Sequence, residues 1–188
     1  FKMLWKEEIP IINDQDDNGN AIAIKIIAGN YSGNKAQTPA PNSWAFDEKN
    51  RVAVWKIVLA PNAKWVLPKD DEGVNRSLFF YKGNTITIDD TELDYFKAME
   101  MHVNEDVVIE NGTTTSELLL LQGKPLNEKV VQYGPFVMNS EQEIQEAYAD
   151  FQKTQWGGWP WPSSENVHHK SKGRFAIHGD GKEESPLG

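Results

Sequence analysis

The stretch LLLLQGKPLNEKVVQYGPFVMNSEQEIQEAYADFQ, residues 118–152, contains the signals that decide the fold. It begins with the continuous apolar run Leu118–Leu121, a pattern typical of a strand that is buried on both faces. Gly123 and Pro125 then end the strand, because glycine and proline interrupt regular structure. A rigid connector, residues 130–138, follows this break. The stretch therefore predicts a buried strand that leads through a short connector into the next element.

A helix is predicted directly after the connector. Asn139 and Ser140 begin it, and Glu143, three residues after Ser140, completes a capping box. An apolar stripe recurs along the helix at i, i+3, i+4 and i+7: Ile144, Ala147, Tyr148 and Phe151. A helix with one apolar face docks on structure that is already folded. We therefore predict a β-sheet domain that is closed by a C-terminal helix at residues 139–155.

Short strands separated by turns precede this helix. Residues 77–88 form the clearest hairpin, with Gly83 and Asn84 at its turn. Asn111 and Gly112 give a strong type I′ turn signal. We count about seven to nine such strands, spaced about 8–12 residues apart. The sequence predicts an all-β jelly-roll sandwich or barrel with one C-terminal α-helix and an irregular tail.

The connector and helix resemble the signature of pirin-family proteins. In that family a G-[KR]-P-x-x-E-x-V-x-x-Y-G-P-F-V-M-N segment and a helix close the C-terminal of two cupin domains. The matching residues here are Gly123, Pro125, Glu128, Val130, Tyr133, Gly134, Pro135, Phe136, Val137, Met138 and Asn139. Residues 21–121 resemble the C-terminal domain more loosely. The resemblance implies a C-terminal pirin-like cupin barrel over residues 13–138, and residues 1–12 as a linker or the end of a missing N-terminal cupin.

Cupins that bind a metal carry a G-x5-H-x-H-x3-4-E-x6-G motif, whose imidazole and carboxylate groups suit a divalent metal. We align its first glycine on Asn62 and its last on Gly83. Counting forward from Asn62 places Pro68 and Asp70 at the two histidine positions. Counting back from Gly83 places Arg76 at the glutamate position, with five residues between Asp70 and Arg76 where the motif has three or four. Proline offers no side-chain ligand atom and arginine is a permanent cation. We expect neither a metal nor a catalytic residue in this barrel.

The third metal-binding histidine of such cupins would fall near Val108, and this position also lacks a ligand. The resemblance implies that iron or another divalent metal sits in the N-terminal cupin, held by three histidines and a glutamate without counterparts here. The intact two-cupin protein would resemble a metal-dependent quercetin 2,3-dioxygenase, with its chemistry in the absent half. The expected partner is that N-terminal half, and the isolated fragment is expected to self-associate through exposed apolar surface.

Composition excludes several classes of function. The formal net charge of −9 makes a general nucleic-acid binder unlikely, because such proteins need a basic face. The chain has no cysteine, which rules out thiolate catalysis, disulfides and Cys-based zinc sites. No window approaches about 18 consecutive apolar residues, so we expect no membrane partner and a soluble, cytoplasmic protein.

Three further segments carry candidate binding residues. Trp156, Trp159 and Trp161, in an irregular tail over residues 156–188, either stack on a sugar or partner or pack back on the domain. His168, His169 and His178 offer imidazoles in the same tail without a predictable scaffold. Asp14 begins a partial match to a calcium-binding loop, but Lys25 stands where a bidentate glutamate is required. A polar turn between two strands is the better interpretation of that loop.

Three hypotheses of function remain. The first is a metal-free C-terminal cupin with a structural or interaction role. The second is a stand-alone module that binds a small molecule or sugar at the barrel mouth or the tryptophan-rich segment. The third is an enzyme in which Asp70 or Glu72 transfers a proton with the help of Arg76. Tyr133, Gly134, Pro135, Phe136 and Asn139 are interpreted as structural signature residues.

Overall fold

The architecture comes from a computed structural model, which describes residues 2–159, 162 and 168–186. Its α-helix is α1, Glu141–Thr154, and short 3₁₀ helices cover Trp44–Phe46, Glu48–Asn50, Gln155–Gly157 and Lys170–Lys172. Its strands, in chain order, are β1 Ile11–Gln15, β2 Ala21–Ala28, β3 Asn30–Tyr31, β4 Asn34–Lys35, β5 Ala53–Leu59, β6 Lys64–Leu67, β7 Asn75–Lys82, β8 Thr85–Ile88, β9 Thr91–Asp94, β10 Lys97–Glu100, β11 Val107–Asn111, β12 Ser116–Gly123, β13 Val131–Tyr133, β14 Phe136–Met138, β15 Ala176–Ile177 and β16 Glu183–Glu184.

Two antiparallel sheets enclose one hydrophobic core. The first has six strands in the order β1-β2-β5-β12-β7-β10, and the second has four in the order β6-β11-β8-β9. Along β5 and β7, buried residues alternate with more exposed ones, because successive side chains of a strand point to opposite faces. Residues of both sheets meet in the core, among them Ile24, Ile57, Leu67, Phe80, Ile109 and Leu118. The predicted all-β fold with one α-helix is confirmed for the described residues. The hairpin predicted over residues 77–88 was wrong, because β7 and β8 lie in different sheets on either side of the turn.

The apolar run that opens the deciding stretch lies in β12, at the centre of the six-stranded sheet. Leu118 and Leu120 are fully buried in the core, whereas Leu119 is half-buried and Leu121 is 39% exposed. The strand is therefore buried on one face only, and the prediction of burial on both faces was wrong. A run of identical leucines contains no alternation, so the sequence alone could not indicate which face meets the core.

The N-terminal segment contributes β1, an edge strand of the six-stranded sheet. β1 begins at Ile11 and pairs with β2 across a polar turn. Asp16 holds this turn, since its carboxylate accepts hydrogen bonds from the side chain and backbone of Asn20 and from the backbone N–H groups of Asn18 and Lys64, at 2.8–2.9 Å. These bonds, that from the Asn20 side chain foremost, lower the pKa of Asp16 to about 2.

The described residues divide into two compact units. One runs to Pro125 and resumes at Ala176, and the other spans Leu126 to Phe175. The division thus falls thirteen residues before the 138/139 boundary predicted between barrel and helix. It does so because the β13–β14 hairpin packs with α1: the Phe136 and Tyr148 rings meet edge to face, with centroids 4.7 Å apart. The tail also differs from its predicted irregularity, because β15 and β16 pair within the first unit.

The predicted capping box is confirmed. Ser140 is the N-cap of α1, and its Oγ accepts a hydrogen bond from the Glu143 N–H at 3.3 Å. Glu143 Oε2 in turn accepts from the backbone N–H of Asn139 at 3.0 Å and from the Ser140 hydroxyl at 2.9 Å. The Glu143 carboxylate therefore also accepts a hydrogen bond from the backbone N–H of Asn139, the residue before the N-cap.

Candidate site at the mouth of the sandwich

A polar layer replaces the apolar core at the end of the sandwich where β7 begins and β12 ends. Arg76 lies directly across from Gln122 in the β7–β12 ladder, on the inward-facing side. Leu78 and Leu120, the next inward-facing pair, are fully buried. The same alternation that fills the core with leucine and isoleucine therefore turns Arg76 and Gln122 toward the interior.

Arg76 is almost completely buried, with 2% of its surface exposed, and its guanidinium is held on several sides. Nε donates to Gln122 Oε1 at 2.7 Å, and Nη1 donates to the Pro68 carbonyl at 2.9 Å. Nη2 lies 3.8 Å from Asp70 Oδ2. Pro68 and Asp70, which the motif alignment places at two metal-ligand positions, thus both contact Arg76, which it places at a third.

Arg51 approaches the same carboxylate from the other side. Its Nε donates to Asp70 Oδ1 at 2.6 Å, and its Nη2 lies 2.5 Å from that oxygen. Its backbone is left-handed, with φ 53°, which costs a non-glycine residue about 1–2 kcal/mol. Gln122 supports this conformation, since its Nε2 donates to the Arg51 carbonyl at 3.1 Å and to Asp70 Oδ2 at 2.5 Å.

The site holds one carboxylate between two cations. Partial burial would raise the pKa of Asp70, but hydrogen bonds from the Asp71 N–H, Arg51 and Gln122 outweigh it and set the pKa below its usual value. Burial lowers the pKa of Arg76, and the neighbouring Asp70 opposes that change. A carboxylate with a lowered pKa is a weak proton acceptor at neutral pH. This arrangement does not favour the hypothesis of proton transfer by Asp70, and Glu72 is exposed.

A cavity of about 250 Å³ opens beside this network. Its walls include Arg51, Asp70, Arg76 and Gln122 on one side, and the aromatic rings of Tyr31 and Trp55. Those two rings meet edge to face with centroids 5.1 Å apart. The cavity therefore combines fixed charge with an apolar aromatic wall.

The backbone conformation at Asn62 and Gly83 agrees with their alignment to the two glycines of the cupin motif. Asn62, aligned with the first glycine of the cupin motif, has φ 61°, in the left-handed region that favours glycine. Gly83, aligned with the last, has φ 133°, and a Cβ there would lie 2.2 Å from Ser116 Oγ. Both glycine positions of the motif thus have a backbone that suits glycine, as the alignment requires.

The residues at the metal positions do not fit a divalent metal. Arg76 brings a positive charge, Pro68 has no side-chain ligand and its carbonyl accepts from Arg76, and Asp70 is shared with Arg51. Val108, at the third histidine position, is apolar. Across residues 2–159, 162 and 168–186, no group of three or more histidine, aspartate or glutamate side chains is close enough to hold a metal ion. The absence of a bound metal itself remains a prediction.

Sequence analysis missed two members of the network, Arg51 and Gln122. Gln122 had a usable signal, because it continues the two-residue spacing of Ser116, Leu118 and Leu120 along β12. Arg51 had none, since it follows a short 3₁₀ helix in a left-handed conformation that local sequence does not indicate.

The signature residues of the connector lie in the second unit and make structural contacts. Gly134 has φ 57° in the turn between Tyr133 and Phe136, and a Cβ there would lie 2.4 Å from Tyr148 Oη. Asn139 Nδ2 donates to Glu128 Oε2 at 3.0 Å and to the Lys129 carbonyl at 2.8 Å. Their roles here are turn formation and local hydrogen bonding, in line with the structural interpretation.

The tryptophan candidates are exposed. Trp156 and Trp159 are 58% and 57% exposed, while Trp161 lies outside the described residues. Trp156 also packs edge-on against Phe136 and Phe151, each with ring centroids 5.3 Å apart. The exposed rings are compatible with stacking on a sugar or partner, and the contacts of Trp156 show that this ring also packs on its own unit.

The tail histidines make local contacts. His168 Nε2 lies 2.9 Å from the Gly173 carbonyl, and His169 Nδ1 lies 2.7 Å from Ser171 Oγ. In the first unit, His178 Nε2 lies 3.2 Å from Glu184 Oε2. These contacts give each imidazole a partner within its own turn or hairpin.

Two packed antiparallel sheets with a polar cavity at one end define a cupin-type domain. Residues 54–157, more than half of the chain, match the family described as the Pirin C-terminal cupin domain. The chain therefore belongs to the pirin family, as the resemblance of its connector predicts.

Individual relatives agree with this assignment. A pirin-like protein of Solanum lycopersicum is 29% identical over 138 residues, which cover 71% of this chain and 44% of that protein. Human pirin is 43% identical over 54 residues, 28% of this chain and 19% of that protein. A crystal structure of quercetin 2,3-dioxygenase from Acinetobacter baumannii matches 82% of this chain and 49% of that chain, with 28% identity and a TM-score of 0.65.

The chain spans about half the length of the curated relatives that match most of it, between 44% and 56%. Among the described residues, no helix combines the length and the apolar character that crossing a membrane requires.

Proposed function

We propose that this chain is a metal-free cupin domain with a structural and interaction role in a pirin-like protein. The observation that carries the proposal is Arg76, a buried guanidinium at the position where metal-binding cupins have a glutamate. A fixed positive charge in that place repels a divalent cation, and the Asp70 carboxylate is committed to two arginines.

The proposed partner is an N-terminal cupin of the same protein, which would hold iron or another divalent metal. The likeness to a quercetin 2,3-dioxygenase of about twice the length supports this, because the chain matches only 49% of that structure. In the intact protein, the metal chemistry would belong to that other domain. This chain would then supply binding surface and stability.

The second unit offers apolar surface for such an interaction. A groove of about 510 Å³ lies between α1 and β13, lined among others by Val131, Tyr133, Ile144 and Tyr148. The same unit also has large apolar side chains that are more than half exposed: Leu126, Val130, Tyr133, Val137, Trp156 and Trp159. Exposed apolar surface of this kind marks interaction sites and makes an isolated domain self-associate.

Metal analysis tests the first part of the proposal. The chain is incubated with Fe²⁺ without oxygen, or with Ni²⁺, desalted, and its metal content measured by mass spectrometry. We expect far less than one equivalent. The matched comparison is P68H/D70H/R76E, which restores two histidines and a glutamate at the aligned positions and should take up more metal. One equivalent bound to the unchanged chain would contradict the proposal.

Sizing in solution tests the interaction surface. Without a partner, the chain should form dimers or larger species whose fraction rises with concentration, as measured by sedimentation equilibrium. Val130→Glu, which charges an apolar side chain that is 75% exposed, should shift the equilibrium to monomer. Lys97→Glu, a charge change on the exposed surface of the first unit, is the control. A monomer at every concentration would remove the support for this surface.

A second candidate function, sugar binding, is favoured by the exposed rings of Trp156 and Trp159. Aromatic faces of this kind can stack on a sugar ring. The test is calorimetric titration with a series of oligosaccharides, using Trp159→Ala as the variant. Binding that survives this substitution would place the sugar elsewhere.

A further inference from the structure

The mouth cavity carries an excess of positive charge in a chain with a formal net charge of −9. Its lining contains four cationic side chains and two carboxylates: Lys35, Arg51, Lys69, Arg76, Glu48 and Asp70. Lys35 and Glu48 pair with each other at 2.6 Å. Of the remaining lining residues, Arg51, Lys69 and Arg76 are positive and Asp70 is negative, and Asp71 lies 3.7 Å from Arg51 just outside the lining. The positive charges still exceed the negative ones, which makes the cavity locally attractive to anions.

The hydrogen bonds of the network leave the charge of Arg76 only partly compensated. Asp70 Oδ1 accepts from Arg51 and from the Asp71 N–H, and Oδ2 accepts from Gln122. The Arg76 Nη2 atom lies 3.8 Å from Oδ2, which is an ion-pair distance but too long for a hydrogen bond. The Arg76 side chain is 1% exposed, so its charge acts on the cavity from within the wall. The Arg51 side chain is 36% exposed and presents the accessible N–H donors for an incoming carboxylate.

The rest of the cavity determines the size and character of a ligand. A volume of about 250 Å³ is below the usual range for drug-sized ligands, which limits an occupant to a small molecule. Tyr31 and Trp55 give it an apolar wall.

We propose that this cavity binds a small organic carboxylate with an apolar or aromatic body, its carboxylate paired with Arg51 beside the buried charge of Arg76 and its body against Tyr31 and Trp55. The inference rests on the proposed metal-free mouth, because a cation bound at Asp70 would take the space and neutralise the charge that the carboxylate ligand needs. It assigns a ligand class to positions where other cupins bind a metal. Binding of such a ligand to the folded state would stabilise the folded chain in proportion to its occupancy.

Benzoate is the probe, and benzyl alcohol, which has the same ring without the charge, is its neutral match. Calorimetric titration and thermal melts of the full chain are run with each, with inorganic phosphate as the third arm. We expect saturable binding of benzoate, with a Kd of about 1 mM or tighter, and a rise in Tm. Benzyl alcohol and phosphate should bind at least about tenfold more weakly, since each lacks one of the two required features.

Charge variants of the network test the site in opposite directions. Arg51→Gln, at a side chain that is 36% exposed and tolerant of change, should weaken benzoate binding about tenfold. Asp70→Asn removes the competing carboxylate and should tighten it several-fold. Lys64→Gln, an exposed cation on the other sheet, is the matched control and should leave it unchanged. Circular dichroism confirms that each variant is folded.

The results separate this inference from the proposed function. Absence of benzoate binding, equal binding of benzyl alcohol or phosphate, or no response to Arg51→Gln in a folded variant would each overturn the inference. If the chain also fails to bind metal, the proposed function stands without it. Uptake of one equivalent of Fe²⁺ or Ni²⁺ that abolishes benzoate binding would instead overturn the proposed function.

Discussion

Replacing Arg76 by methionine removes the guanidinium while keeping much of its aliphatic volume. The change deletes the hydrogen bonds to Gln122 Oε1 and to the Pro68 carbonyl, and the ion pair to Asp70. Breaking a buried ion pair from one side costs about 3–5 kcal/mol. Asp70 keeps Arg51 and Gln122, so we expect the lower end, about 3 kcal/mol in the free energy of unfolding.

Urea unfolding followed by circular dichroism measures this loss. With a denaturant slope of about 2 kcal/mol per molar, the midpoint should fall by about 1.5 M. The matched comparison is Arg51→Met, which removes the partly exposed partner of the same carboxylate. Ion pairs that reach solvent contribute about 0–1 kcal/mol, so this variant should lose about 1 kcal/mol. A loss at Arg76→Met that is no larger than at Arg51→Met would refute the reasoning.

A double-mutant cycle checks that the energy arises in the network. Asp70→Asn should cost less in the Arg76→Met background than in the unchanged chain, because one of the two positive neighbours of Asp70 is already gone. Contacting charged residues couple by about 0.5–3 kcal/mol. Additive effects within experimental error would mean that Arg76 stabilises the fold through packing alone.

Three further predictions concern other parts of the chain. Hydrogen bonds from Lys56 foremost, then from Lys82 and Tyr81, lower the pKa of Glu117 from 4.5 to about 2. These hydrogen bonds to the ionised Glu117 stabilise the folded chain above pH 4.5, and this stabilisation is lost as the pH falls toward 2. Glu117→Gln should therefore lower Tm at pH 7 and leave it unchanged near pH 2. Gly134→Ala should destabilise the second unit by more than about 1 kcal/mol, measured by thermal unfolding, because φ is 57° and the new Cβ would meet a tyrosine hydroxyl. Ser140→Ala should cost about 1 kcal/mol and increase hydrogen exchange in the first turn of α1, whereas unchanged protection would argue against its capping role.

The fold was predictable because its signals are local. The turn residues between the strands and the capping residues of α1 each lie within a few neighbours, and the connector is long enough to identify the family. The burial of Leu118–Leu121 was not predictable, since it depends on which face of β12 meets the second sheet. The boundary between the units was missed for the same reason, because the packing of Phe136 on Tyr148 brings the connector to the helix.

The site was predictable only in part. Motif spacing located Pro68, Asp70 and Arg76, but Arg51 and Gln122 reach Asp70 from 19 and 52 residues away along the chain. Contacts at that separation depend on strand order, which places the end of β12 beside the beginning of β7. A spacing rule can name positions along one stretch of the chain, whereas the partners of those positions come from the assembled sheet.

If the inference above holds, the network reverses the charge of the ligand that the mouth prefers, compared with a metal-binding cupin. In a metal-binding cupin, neutral imidazoles and a carboxylate surround a cation that comes from solution. Here Arg76 supplies a cation from the chain itself and Asp70 gives it one counterion, while Arg51 adds a second positive charge. Under the proposals above, the mouth therefore favours an anion over a metal ion. Several residues act together in this: Arg76 brings the positive charge, Pro68 offers no side-chain ligand, and Gln122 and the Pro68 carbonyl hold the guanidinium in place.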